Sequence, residues 1–117
     1  MVIQHTEPLD KVFHALGDRT RREMLGLLAK NGECTASELG KPFQIAQPTA
    51  SKHIRVLEEA ELVSRSIDGR THRFRLETGR MDQAASWISR HKKFWLASFD
   101  ALEECINEIS DQKGTNK

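Results

Sequence analysis

The sequence predicts a mostly helical single domain that carries one β-hairpin and ends in a long helix. Three observations predict it. Apolar residues recur at helical spacing through most of the first 60 positions. The period then drops to two on either side of Asp68-Gly69. From Met81 onward an apolar residue returns every seven positions, at Ile88, Trp95, Leu102 and Ile109. At 117 residues the chain has the length of one compact domain, 1–117.

Each element has its own signals. Leu9, Val12, Phe13 and Leu16 mark a first helix over about 9–16, which Gly17 ends. Asp18 caps a second helix from Arg19 to Lys30, with Met24, Leu25, Leu27 and Leu28 as its buried stripe and Asn31-Gly32 as its stop. Thr35-Ala36-Ser37-Glu38 matches a capping box, in which the hydroxyl takes a backbone N–H and the carboxylate reaches back. The short third helix that follows reaches about Lys41, Pro42 closes it, and Phe43 and Ile45 face the core from the turn. Pro48 suits the first turn of a fourth helix running to about Ala60, with Ala50, Ile54 and Leu57 inward.

The hairpin joins Val63, Arg65 and Ile67 to His72, Phe74 and Leu76 as a two-stranded ribbon of about seven residues per arm. A helix of about 30 residues, Arg80 to Asp111, would span about 45 Å. That exceeds the roughly 26 Å diameter of a 100-residue domain. A second row, Ala85, Phe99 and Ile106, widens its apolar seam. Such a helix needs a partner for part of its length, so region 76–113 is expected to dimerise. The expected interface residues are Met81, Ile88, Trp95, Phe99, Leu102 and Ile106.

Composition narrows the function. Net charge is only +1, yet residues 41–75 hold seven Lys/Arg against four Asp/Glu. No apolar run approaches a membrane span, and Met1–His5 carries no signal-peptide pattern, so a cytoplasmic protein without membrane contact is expected. Two cysteines far apart, Cys34 and Cys105, exclude a disulfide scaffold. Five histidines are scattered over different elements, and no nucleophile motif or phosphate loop accompanies them, which argues against an enzyme.

The order of four helices, hairpin and helix is that of a winged helix-turn-helix domain. Over about residues 8–100 the chain resembles the ArsR/SmtB family of bacterial repressors. The stretches that carry the resemblance are Ala15-Leu16-Gly17-Asp18-Arg19-Thr20-Arg21-Arg22, Ile45–Leu57 and Ile67-Asp68-Gly69-Arg70. Trp87 and Phe94-Trp95 are similar to the autorepressor branch that lacks metal-binding cysteines. The resemblance implies a homodimer that binds double-stranded DNA at a pseudo-palindromic operator.

In a helix-turn-helix unit the second helix enters the major groove with its N-terminal residues at the base edges. That helix here offers Gln47, Thr49 and Ser51 for bases or phosphates, and Lys52 and Arg55 for phosphates. His53 reads either as an exposed donor or as a satisfied packing residue. The hairpin would be the wing, with Arg65, Arg70, His72 and Arg73 reaching the backbone or a narrow minor groove. Ala46 stands where family members often carry a capping Ser, so the fourth helix starts without that hydroxyl.

No metal or other cofactor is expected. Thr35 and Ser37 fall near the positions of the family's thiolate ligands, and hydroxyls do not replace thiolates. Glu77-Thr78-Gly79 and Arg90-His91-Lys92-Lys93 stand where its carboxylate and histidine ligands would be, and three cations there oppose a divalent ion. Three further readings are open: a metal-responsive repressor, a thiol-responsive repressor acting through Cys34, beside a helix N-terminus, or Cys105, and a winged helix that binds protein instead of DNA.

Overall fold

The structure, a computed structural model, describes residues 7–114. Met1–His5, read above for targeting signals, lies outside the described residues. Contacts group the chain into two units that part between Ala84 and Ala85.

The first unit opens with α1 (Pro8–Leu16), which starts on Pro8 and buries Val12 and Ala15. In α2 (Arg19–Asn31) the Asp18 Oδ2 atom accepts the Arg21 N–H at 3.0 Å, as the sequence predicts. Gly32 ends this helix at φ +83°, a left-handed position that favours glycine, and returns its N–H to the Leu28 carbonyl. Met24, Leu25 and Leu28 are buried, and Leu27 packs at the core's edge.

Thr35 and Glu38 form the full capping box of α3 (Ala36–Gly40), with both bonds at 3.2 Å. The helix stops at Gly40, one residue short of the expected end. Pro42 stands within a 3-10 turn, Lys41–Phe43, which leads through the left-handed Gln44 into α4 (Gln47–Glu59). Ala46 caps α4 without a side-chain bond, and its carbonyl accepts the Thr49 and Ala50 N–H groups at 3.0 Å. Ala50, Ile54 and Leu57 are buried, as their spacing predicts.

The hairpin arms are six residues each, β2 (Val63–Asp68) and β3 (Thr71–Leu76), with Gly69 in the turn at φ +62°. The expected two-stranded ribbon gains a third strand. Cys34–Thr35, the strand β1, pairs antiparallel with β3, so that Cys34 faces Phe74 and the sheet order is β1-β3-β2. Pairing at this end gives Phe74 neighbours on both sides, and it is 2% exposed. Around it the core gathers Val12, Met24, Leu28, Leu39, Ile54, Leu57 and Leu62. Among the described residues no charged or polar residue is buried.

The final helix, α5, spans Gly79–Gly114. Its first turns belong to the first unit: Ala84 is buried and Met81 packs against the core. The second unit is the rest of that helix.

The caps carry a pH signature. Hydrogen bonding by the Arg21 backbone N–H, outweighing desolvation and aided by the charges of His53 and Arg21, holds the Asp18 carboxyl below the usual carboxylate value. A depressed carboxylate stabilises the fold above its unfolded pKa and loses that contribution as pH falls through the folded one. Thermal melts should therefore show Tm falling as the medium is acidified below about pH 4. Asp18→Asn keeps a capping oxygen and removes the charge, so its acid-side fall should be shallower. An identical fall in both proteins would remove Asp18 from the acid response.

Candidate nucleic-acid interface

Two joints set the recognition helix α4 in place. At its start, α3 and α4 approach so closely that a Cβ on Gly40 would lie 3.0 Å from the Ala50 Cβ. That contact fixes the crossing of the helix-turn-helix pair and turns the opposite face of α4 outward. Gln47, Thr49, Ser51, Lys52 and Arg55 are all exposed there.

The second joint is built around Arg21. Its Nε donates to the Ala15 carbonyl at 2.8 Å and its Nη2 to the His14 carbonyl at 3.0 Å, tying α2 to the end of α1. Its Nη1 donates to His53 Nδ1 at 3.3 Å, and Asp18 Oδ2 stands 3.9 Å from the same nitrogen. The His53 side chain is 18% exposed. Of the two sequence readings of His53, this geometry matches the satisfied packing residue, which holds α4 against the start of α2.

Ser51, Arg55, Arg65, Arg70 and His72, widely spaced in sequence, line one cleft of about 520 Å³ between α4, the start of α3 and the wing. The hydroxyl residues Thr35, Ser37 and Thr71 line it too. Neither Arg55 nor Arg70 forms an ion pair among the described residues. Arg65 is bound differently. Its Nη2 and Nε donate to the two Glu58 oxygens at 2.6 and 3.1 Å, its Nη1 donates to His72 Nδ1 at 3.1 Å, and its guanidinium lies 5.0 Å from the Phe74 ring centre. Arg73, a member of the predicted set, faces Ser66 and Thr35 in the sheet register, and its charge acts on Glu38. Glu58 and Arg21 are the side chains bonded to candidate site residues to which the sequence reading gave no place in the site. The acidic run that holds Glu58 signalled only a less basic segment.

Cys34 is 1% exposed and accepts a weak bond from Asn31 Nδ2 at 3.7 Å. A reagent-accessible thiol at that helix start, as the thiol reading requires, does not fit this burial. Cys105 is exposed. Among the described residues no three His, Cys, Asp or Glu side chains cluster as metal ligands, and no helix is long and apolar enough to cross a membrane.

Within the second unit an apolar stripe runs along α5. Ile88, Trp95, Phe99, Leu102, Ile106 and Ile109 are each about half exposed. Trp87 stacks on His91 with ring centres 3.9 Å apart, and His91 Nδ1 donates to the Trp87 carbonyl at 2.8 Å.

A helix-turn-helix with an exposed polar helix start, flanked by an arginine-bearing hairpin, defines a winged-helix DNA-binding protein. Comparison with known proteins agrees. A family described as a helix-turn-helix domain matches residues 16–65. The transcriptional repressor SdpR of Bacillus subtilis (strain 168) is 34% identical over 80 residues, 68% of this chain and 88% of its own length. An arsenical resistance operon repressor of Staphylococcus aureus is 38% identical over 74 residues, 63% of this chain and 70% of its own. The crystal structure of an ArsR family transcriptional regulator superposes with a TM-score of 0.71 at 35% identity, covering 80% of this chain and 96% of that one. The chain belongs to the ArsR family of winged-helix transcriptional regulators. It is a DNA-binding regulator and not an enzyme.

Proposed function

We propose that the protein is a homodimeric repressor that binds a pseudo-palindromic operator upstream of its own or a neighbouring gene. The observation that carries this reading is the joining of the exposed start of α4 to a cleft in which Arg55 and Arg70 have no carboxylate partner among the described residues. Gln47 and Thr49, on the exposed first turn, suit base edges, and Gln pairs with adenine through two hydrogen bonds. Arg55, Arg70, Ser51 and Thr71 suit the phosphate strand running between helix and wing. Two such helices, related by a two-fold axis, would read half-sites about one helical turn, roughly 34 Å, apart.

The test is binding of the purified protein to the duplex upstream of its own gene, against a scrambled duplex, over a salt series. Tight binding to the native duplex alone is expected. Equal, weak, salt-sensitive binding to both would overturn the operator at that promoter. Gln47→Ala should lose about 1–3 kcal/mol at a single base position. A loss equal on every sequence would reassign Gln47 to the backbone. Arg70→Ala should weaken binding to all sequences and lower the salt slope by about one. An unchanged slope would take Arg70 out of the interface.

A further inference from the structure

We infer that Arg65 is a positioning residue: gripped by Glu58, it sets the wing against the recognition helix and leaves the phosphate to Arg55 and Arg70. The inference rests on the reading that α4 and the wing hold DNA between them.

The guanidinium of Arg65 is taken up on nearly every side. Two of its nitrogens face the two oxygens of Glu58, a forked pairing that fixes direction as well as distance. The third reaches His72 on the opposite arm of the hairpin. Beneath it lies the ring of Phe74, the buried root of the wing. Glu58 sits in the last turn of α4, seven residues before Arg65, so the pair spans the joint between recognition helix and wing. Side-chain exposures of 26% for Glu58 and 39% for Arg65 leave the pair partly shielded from water.

The charge of Arg65 is answered at 2.6 Å, which cancels most of its pull on a phosphate farther away. Arg55 and Arg70 line the same cleft with no such partner among the described residues. The two kinds of arginine thus have separate tasks, one holding the cleft open at a set width and the others filling it with positive charge.

The two roles for Arg65 make opposite predictions for Glu58→Gln. This substitution removes a negative charge beside DNA, so it should tighten binding if Arg65 is a phosphate contact. If Arg65 is a strut, it should weaken binding to the upstream duplex by about tenfold, as one lost charge-assisted contact would, with the salt slope unchanged. Arg65→Lys keeps the charge and loses the fork; the strut predicts weakening, a phosphate contact predicts near-normal binding. Arg65→Glu should abolish tight binding, and the exchange of both residues, Glu58→Arg with Arg65→Glu, should restore it to within a few-fold.

Thermal melts of every variant accompany the binding curves. Recovery of Tm in the exchanged protein without recovery of binding would overturn the positioning role, as would tighter binding by Glu58→Gln. Should Arg65→Glu fail to fold, Glu58→Gln and Arg65→Lys still decide between the roles. Arg70→Ala serves as the separate check: if it leaves binding and slope untouched, the wing-and-helix interface itself is wrong, whatever the Glu58 variants show.

Discussion

Phe74→Ala is expected to lower the stability of the winged unit by about 3–5 kcal/mol, the usual loss for a buried phenylalanine. Phe74 is 2% exposed, is the largest fully buried side chain, and sits in the central strand between Cys34 on β1 and Arg65 on β2. Its removal leaves a cavity bounded by backbone that is fixed by pairing on both sides, so little collapse can fill it. The ring also carries the Arg65 guanidinium, a contact worth about 0.5–1 kcal/mol at a partly exposed site. Against a total of about 5–15 kcal/mol, such a loss removes roughly a fifth of the stability or more. Ile67 provides the control. It lies on the same face of the hairpin and is 63% exposed, so Ile67→Ala should stay within about 0.5 kcal/mol of the parent. Urea unfolding followed by circular dichroism measures both. Equal losses would mean that the root of the wing is no more part of the core than its tip.

The contrast between these two residues shows what the sequence carries and what it does not. Ile67 and Phe74 obey the same alternation, which identifies a strand and its face but not how far along the strand the core extends. The helices were legible because burial repeats in them: Ala50, Ile54 and Leu57 follow the turn of α4 and are all buried. Thr35-Ala36-Ser37-Glu38 was legible because a capping box is a local, four-residue interaction. Strand β1 has two residues and no period, and only its pairing with β3 makes it a strand. Met81 begins the seven-residue repeat, yet it packs on the core of the first unit, since a heptad records apolarity and not which partner meets it.

The same limit applies to the site. Basic residue types pointed to α4 and the wing, but charge alone does not separate Arg70 from Arg65. The difference is the carboxylate of Glu58, brought across a helix-to-strand joint that no periodicity describes. His53 is similar: its place on α4 is read from the sequence, and its engagement with Arg21, 32 positions earlier, is a product of packing.

Trp95→Asp is expected to yield a monomer and to weaken operator binding by about 10²–10⁴-fold, the span by which linked sites exceed single ones. The stripe Ile88, Trp95, Phe99, Leu102, Ile106 and Ile109 exposes about half of each side chain along one helix, and runs of exposed apolar surface on this scale mark interfaces. Trp95 is central to it, with the Phe99 ring 6.3 Å away and Ile88, Leu96 and Phe99 around one shallow apolar hollow. In a two-fold interface each substitution counts twice, and a carboxylate placed there would lose its water without gaining a cation. Sedimentation should show the parent as a dimer and the variant as a monomer of unchanged helical content. The monomer should keep the salt-sensitive binding of one recognition helix and wing, because its substitution lies outside the winged unit. Loss of operator binding with the dimer intact would mean that Trp95 acts on DNA recognition by another route. A dimer that persists with full binding would move the interface off this stripe and leave the eight large apolar side chains exposed on α5 among the described residues without a partner.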